Sequence, residues 1–304
     1  MKIQAPVQKH LDFTDKSYTF LVSLFSILSF VIAAYPLYFI VIASFSDSTM
    51  VNQGLVVLLP KGINFYGYHQ IFKDGRIWGG YLNTIYYTFV GTAINLIVTL
   101  PAAYVLSRKN FRPRRVIMAL FVFTMYFSGG MIPTYLLIRD LHLINTPMIM
   151  LINGAVNVYN LIITRTFFES SIPEELYEAA SIDGCSHFRY FGSIVLPLSK
   201  AIIAVMFLFF MVGHWNDFFT PLLYINRDSL QPLQIVLRNI LLSNQAFVNG
   251  AGSGAGAGAG GYAQKYADQV KFVVIIVSTI PILCVYPSIQ KYFEKGVMIG
   301  AVKG

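Results

Sequence analysis

Long stretches without a single charged residue, separated by short polar or basic ones, set the first constraint on this chain. Six such runs can be read: Ser17 to Ser46, Ile77 to Ser107, Val116 to Ile138, Leu143 to Thr164, Ala201 to Asn216, and Phe272 to Gln290. A helix rises 1.5 Å per residue and needs about 20 residues to cross a hydrocarbon core of about 30 Å. The first four runs meet that length and the last barely does. The fifth is short, so a crossing there has to continue past Asp217 to about Tyr224. With 56% of residues hydrophobic, 12% charged and a mean hydropathy of +0.61, the chain is too apolar for an ordinary soluble domain. The expectation is an all-α membrane protein with six transmembrane helices. The first run is much longer than a signal-peptide core and others come after it, so it reads as a retained anchor.

The excess of 22 Lys and Arg over 14 Asp and Glu forms no nucleic-acid stripe, because the basic residues sit between the apolar runs and act as topology signals. Arg108, Lys109, Arg112, Arg114 and Arg115 crowd between the second and third runs with no acid among them. Placing that loop in the cytoplasm also puts there the amino terminus with Lys2, Lys9 and Lys16, the polar stretch around residues 171–200, and the tail with Lys291, Lys295 and Lys303. On this assignment 14 of the basic residues lie inside and eight outside. Cys185 and Cys284 have no metal or redox spacing and are expected to be free thiols.

Three further stretches carry structural expectations. Gly129-Gly130 and Pro133 interrupt the third run after 13 residues, roughly 20 Å of helix, so its backbone breaks within or at the outer edge of the membrane. Such a break is either a structural kink or the wall of a path. Residues 47–76, with Pro60, Gly62, Gly67, Phe65, Tyr66 and Tyr68, read as an external loop with interfacial aromatics or as a contact for an outside partner. Gly250 to Gly261 contains only Gly, Ala and one Ser and reads as a flexible external linker.

The polar island between the fourth and fifth runs reads as two short helices and a turn. Ser171 and Glu174 have capping-box spacing, Pro173 suits a first helical turn, Asp183-Gly184 supplies a stop, and Ser186 can cap the second helix. Pro197 ends that second helix as the chain re-enters the bilayer. Ala179, Ala180 and Gly184 allow close approach, while Glu174, Glu175 and Glu178 keep the surface soluble. By periodicity alone this is an amphipathic connector. The string Glu178-Ala179-Ala180, three residues, Gly184, then Phe191 and Val195-Leu196-Pro197, resembles the EAA loop of ABC importer permeases. That resemblance implies a coupling helix that docks into a groove on a separate ATPase. The sequence departs from the pattern at Lys200, where a proline is usual. The stretch GGMIPTYLLIRDLHLINTP and the ending KGVMIGAVKG further resemble the LplC-type branch of binding-protein-dependent, MalG-like carbohydrate permeases, associated with complex oligosaccharides and polysaccharides.

The resemblance implies a type I ABC importer permease fold and the membrane subunit of a carbohydrate importer in the bacterial cytoplasmic membrane. Its implied partners are a second homologous permease, two ATP-binding subunits that hold ATP and Mg, and an extracytoplasmic solute-binding protein. Residues 1–76 would hold the amino-terminal tail, first helix and external loop, residues 77–291 the permease core, and 292–304 a cytoplasmic tail. The sequence contains no GxxxxGK[ST] phosphate loop and no H-E-x-x-H among its five histidines, so neither ATPase nor other enzyme activity is expected of it, and no cofactor. The cluster with binding character is His214-Trp215-Asn216-Asp217, which reaches the outer third of the bilayer. Trp215, Asn216 and Asp217 supply an aromatic face, an amide and a carboxylate suited to a sugar path. Equally, Trp215 reads as an interfacial anchor and Asp217 as the partner of a neighbouring helix. The alternatives are an ABC permease for a non-sugar solute and, from a different class, a carrier or channel subunit driven by an ion gradient, where Asp217 would be the coupling charge.

Overall fold

A computed structural model describes residues 13–251, 269–285 and 287. These described residues are helical, without a strand. They fall in two compact units, one built from Met1–His69 with Gln245–Ile276 and the other from Gln70–Asn244 with Val277–Gly304. The readings made for Gly252 to Gly261 and for the carboxyl tail lie outside the described residues.

In the first unit, helix α1 (Phe13–Phe45) carries its apolar side chains, Phe20, Phe25, Phe30 and Leu37 among them, on every exposed side. A helix apolar all round suits lipid rather than water. Its end is ordered, because Tyr35 and Tyr38 donate their hydroxyls to the carbonyls of Val57 and Leu58. Asp47 then accepts the Thr49 N–H at 2.9 Å and caps α2 (Ser48–Asn52). The expected external loop is therefore largely built structure, closing on α3 (Tyr66–Lys73), and Phe45 stacks on Tyr68 at 5.3 Å. A buried glutamine organises it: Gln269 accepts the Gly67 N–H at 3.3 Å and donates to the carbonyls of Ser44 and Asn64 at 3.3 and 2.9 Å. Gly67 lets this packing close up, since a Cβ there would stand 3.1 Å from Val273 and 3.2 Å from Gln269 and push both side chains aside.

The second unit is arranged around α4 (Gly75–Ser107), capped by Asp74, which accepts the Arg76 N–H at 3.0 Å. Hydrogen bonds from Arg76 hold the Asp74 carboxyl below the usual carboxylate range. Past a basic turn come α5 (Arg114–Tyr126) and α6 (Met131–Asp140), which meet at 113° across the diglycine. Gly130 has φ +88°, a left-handed conformation natural to glycine, so the break falls where the sequence placed it. The expected fourth crossing, Leu143 to Thr164, is not continuous. It divides into α7 (Pro147–Ile152) and α8 (Val158–Ser171), because Asn157 caps a new helix start by accepting the Asn160 N–H at 3.0 Å.

The polar connector then forms α9 (Glu174–Ile182), α10 (His187–Tyr190), one wide π turn over Phe191–Val195, and α11 (Leu196–Leu198). The fifth expected crossing, like the fourth, is divided. Helix α12 (Lys200–Trp215) stops at the tryptophan, and a separate α13 covers Phe219–Tyr224. Helix α14 (Leu233–Ala251) occupies most of the segment expected as an external connection, and α15 (Gln269–Val285) covers the described part of the last run. By length and composition two helices can cross a membrane, and four if each bent pair counts as one span. Among the described residues the fourth and fifth expected runs are divided by backbone breaks, to which hydropathy is blind, and the last run is described only in part.

Candidate functional site

Between α9 and α10 the stop at Asp183-Gly184 has the geometry of a Schellman cap. Cys185 N–H donates to the Ala180 carbonyl at 2.9 Å and Gly184 N–H to the Ser181 carbonyl at 3.1 Å. Gly184 has φ +71° and open space where a Cβ would go, so the constraint on it is backbone conformation and not close approach. Ser186 caps α10, accepting the Arg189 N–H at 3.4 Å.

The expected capping box does not form. Ser171 is the last residue of α8, Pro173 precedes the first turn of α9, and the Glu174 carboxylate instead meets Lys109 at 3.0 Å. Nor does Pro197 stop the helix by itself. The π turn ahead of it, in which Leu196 N–H reaches back to the Phe191 carbonyl, makes room for the ring, and the chain bends 83° only at Ser199. That bend joins the connector to α12, with Lys200 as its first residue.

Packing fixes this connector to the bundle. Ala180, 8% exposed, joins Tyr190 and Val195 in one buried cluster with Leu100, Ala103 and Tyr104 of α4, Leu161 and Phe168 of α8, and Ile202 and Met206 of α12. Tyr104 is the hub, its ring centroid 5.0 Å from Phe191, 6.3 Å from Tyr190 and 6.4 Å from Phe168. The Arg108 guanidinium covers Tyr104 at 5.0 Å. Leu196 packs on the same cluster while Pro197 is exposed. Charged neighbours reinforce the base: Glu169 pairs with Arg165 at 2.6 Å and Arg114 at 3.4 Å, and Arg165 Nε donates to the Leu106 carbonyl at 3.0 Å.

The opposite face is open. Glu178, Ala179 and Asp183 are exposed, and so are two large apolar side chains that sequence reading did not single out, Ile182 at 87% and Phe188 at 89%. Large apolar side chains left exposed side by side with polar ones, Ile182 at the end of acidic α9 and Phe188 on α10, are the usual mark of a protein contact. Their signal lay in being apolar where the flanking residues are polar.

At the far end of α12 the candidate path residues separate. Trp215 is 7% exposed, donates Nε1–H to the Ser278 carbonyl at 3.0 Å, and walls an apolar cavity of about 230 Å³ with Tyr81, Met211 and Pro281. Asp217 accepts the Thr220 N–H at 3.1 Å and so starts α13, while Asn216 is exposed and donates to the Val212 carbonyl at 3.1 Å. Sequence reading missed the neighbour of this cluster that matters structurally: Asn95, 2% exposed, bonds His214 across the helices. An amide in the middle of an uncharged run, one of two in Ile77 to Ser107 with Asn83, is a signal available from sequence.

Two helices long and apolar enough to cross a membrane, two bent helix pairs and a packed surface connector are the architecture of a helical membrane protein. The chain belongs to the family described as binding-protein-dependent transport system inner membrane component, whose model matches residues 75–299. It is 40% identical over 270 residues to Protein LplC of Bacillus subtilis (strain 168), covering 88% of this chain and 89% of that one. It is 37% identical over 285 residues to the polygalacturonan/rhamnogalacturonan transport system permease protein YtcP of the same organism, covering 92% and 96%. Among solved structures it matches a chain of a bacterial ABC transporter involved in the import of the acidic polysaccharide alginate, with TM-score 0.80 and 32% identity over 95% of this chain and all of that one. The fold is thus the ABC importer permease fold of that neighbour.

The two alanines of the EAA string are predicted to behave differently. Ala180→Leu forces three extra carbons into a filled cluster and should cost about 1–3 kcal/mol, seen as a lower unfolding midpoint of the chain purified without its ATPase partners. Ala179→Leu, on the exposed face, should change stability by less than about 0.5 kcal/mol. Equal losses in both would contradict this packing.

Proposed function

We propose that this chain is the membrane permease subunit of an ATP-driven importer of an oligosaccharide or polysaccharide fragment. The observation that carries the reading is its identity, over nearly its whole length, with relatives named for polygalacturonan/rhamnogalacturonan transport and with a chain of an alginate importer. On this reading the chain crosses the cytoplasmic membrane six times with both termini inside. The permease core is residues 77–291, preceded by residues 1–76 and succeeded by the tail 292–304. It works beside a homologous permease, two ATP-binding subunits that hold ATP and Mg, and an extracytoplasmic binding protein. The chain itself needs no cofactor.

Coupling to the ATPase is assigned to residues 171–200. Glu178, Ala179, Asp183, Ile182 and Phe188 offer the docking face, Gly184 sets the turn, and Ala180, Phe191, Leu196 and Pro197 make the link to the bundle stiff. Stiffness is supported by the buried cluster around Tyr104, because close-packed side chains transmit displacement instead of absorbing it. Exposed ion pairs such as Lys109 with Glu174 add under about 1 kcal/mol and serve register more than strength.

In the reconstituted complex, Gly184→Val places a β-branched residue at φ +71°, a strain of about 1–3 kcal/mol. Converted at 1.4 kcal/mol per factor of ten, and with the strain borne wholly by the docked state, that weakens docking about 5- to 150-fold. Uptake and ATPase co-purification should fall together while the membrane bundle remains intact. The same measurement tests the orientation, since an ATP-hydrolysing partner meets only the cytoplasmic face. Parent-level uptake with normal ATPase attachment would remove this segment from the coupling role.

Trp215, Asn216 and Asp217 we assign to the sugar path, with Asn216 as the exposed contact and its neighbours holding it. Asn216→Ala should lower uptake several-fold with the complex assembled. Asp217→Asn keeps an acceptor for the Thr220 N–H, so its effect isolates the charge. If neither variant changes uptake, the cluster is structural only.

A further inference from the structure

Helix α12 carries the connector at its first turn and His214 at its last, roughly 21 Å away along the axis. There the imidazole lies against Gly91 of α4. A Cβ at Gly91 would stand 2.5 Å from the Nε2 and Cε1 atoms, so no side chain fits while the ring is in place. One turn further along α4, Asn95 Oδ1 is 2.7 Å from His214 Nε2. The Asn95 amide nitrogen donates to the carbonyls of Gly154 and Ala155, both at 2.9 Å, in the break between α7 and α8.

This arrangement has a fixed sense. The two carbonyls only accept, so the Asn95 NH₂ must face them and its oxygen must face the ring, which makes His214 Nε2 the donor. Among the described residues this is the one hydrogen bond between a side chain of α4 and a side chain of α12. The hydroxyls of Thr88, Thr92 and Thr99, also buried along α4, add no link to α12, since they have no partner among the described residues. Interdigitated side chains already resist sliding of α12 on α4, and a short hydrogen bond beside a glycine socket adds a directional constraint on register and rotation at this one level.

We propose that His214, acting through Asn95, is the positioning residue at which α12 is keyed to α4 and to the α7–α8 break, so that displacement entering at the connector reaches the outer half of the bundle. This rests on the assignment of residues 171–200 to coupling. With the link intact, α12 moves as a lever against a fixed point. Without it, the lower end of α12 still answers the ATPase while the outer half does not move with it.

The test is the ratio of substrate taken up to ATP hydrolysed, in the full reconstituted complex with its loaded binding protein. His214→Ala and His214→Asn, neither of which can present a donor at the Nε2 position, should lower that ratio about tenfold or more with ATP hydrolysis largely kept. His214→Gln, which can, should recover most of it. Gly91→Ala should imitate His214→Ala by expelling the ring, and Gly91→Ala with His214→Ala should be no worse than His214→Ala alone. A parent ratio in His214→Asn, or a His214→Gln ratio no better than His214→Asn, would overturn the proposal. The Asn and Gln pair keeps the site polar and decides the matter even if the alanine variant fails to assemble. If Gly184→Val lowers uptake and the His214 series does not, the key is wrong and the coupling segment stands. If Gly184→Val is silent, the coupling assignment itself has failed.

Discussion

The packing of Tyr104 against Phe191, Tyr190 and Phe168 is the interaction on which the rest of this structure depends. A surface helix pair has no reason to hold one orientation on a membrane bundle unless side chains from both are buried together. Here rings from the connector, from α4 and from α8 share one cluster, and Arg108 closes it from the polar side. Burial of each ring at about 25 cal/mol per Å² far exceeds what the exposed ion pairs nearby can add. The connector is thereby anchored on one face and left open on the other, with Ile182 and Phe188 in water.

The same economy governs the interior. Wherever the backbone breaks within an apolar run, something has to satisfy the freed polar groups, since hydrocarbon offers no partner. Asn95 does this for Gly154 and Ala155 in the break between α7 and α8. At the turn after α6, Asn145 with φ +58° accepts the N–H groups of Asn226 at 2.6 Å and Arg227 at 3.1 Å. These residues are polar because the breaks exist, and the breaks give the bundle the places where its halves differ.

Much of the connector was legible in the sequence because its signals are local. Asp183-Gly184, Ser186 and the EAA string each act within a few residues, and the diglycine at 129–130 announced its own break. What sequence reading lost was long-range or competitive. Glu174 had capping-box spacing, but Lys109, 65 positions earlier in the numbering, takes its carboxylate. The fourth run reads as continuous because every side chain in it is uncharged, while the amide that satisfies its broken backbone belongs to another helix. For Trp215 and Asp217, residue type pointed to a sugar path but not to the partners that hold them, a carbonyl 63 residues away and a local N–H.

The central claim, that this chain is one half of a saccharide path driven by ATP on other subunits, is tested most directly by energy source. Vesicles would carry the chain with its permease and ATPase partners, or the chain by itself, and would be offered a panel of neutral and acidic oligosaccharides. The account predicts uptake only in the complete assembly, dependent on ATP inside and on the binding protein outside, and none from a sodium or proton gradient. Uptake by this chain alone, driven by such a gradient, would contradict it.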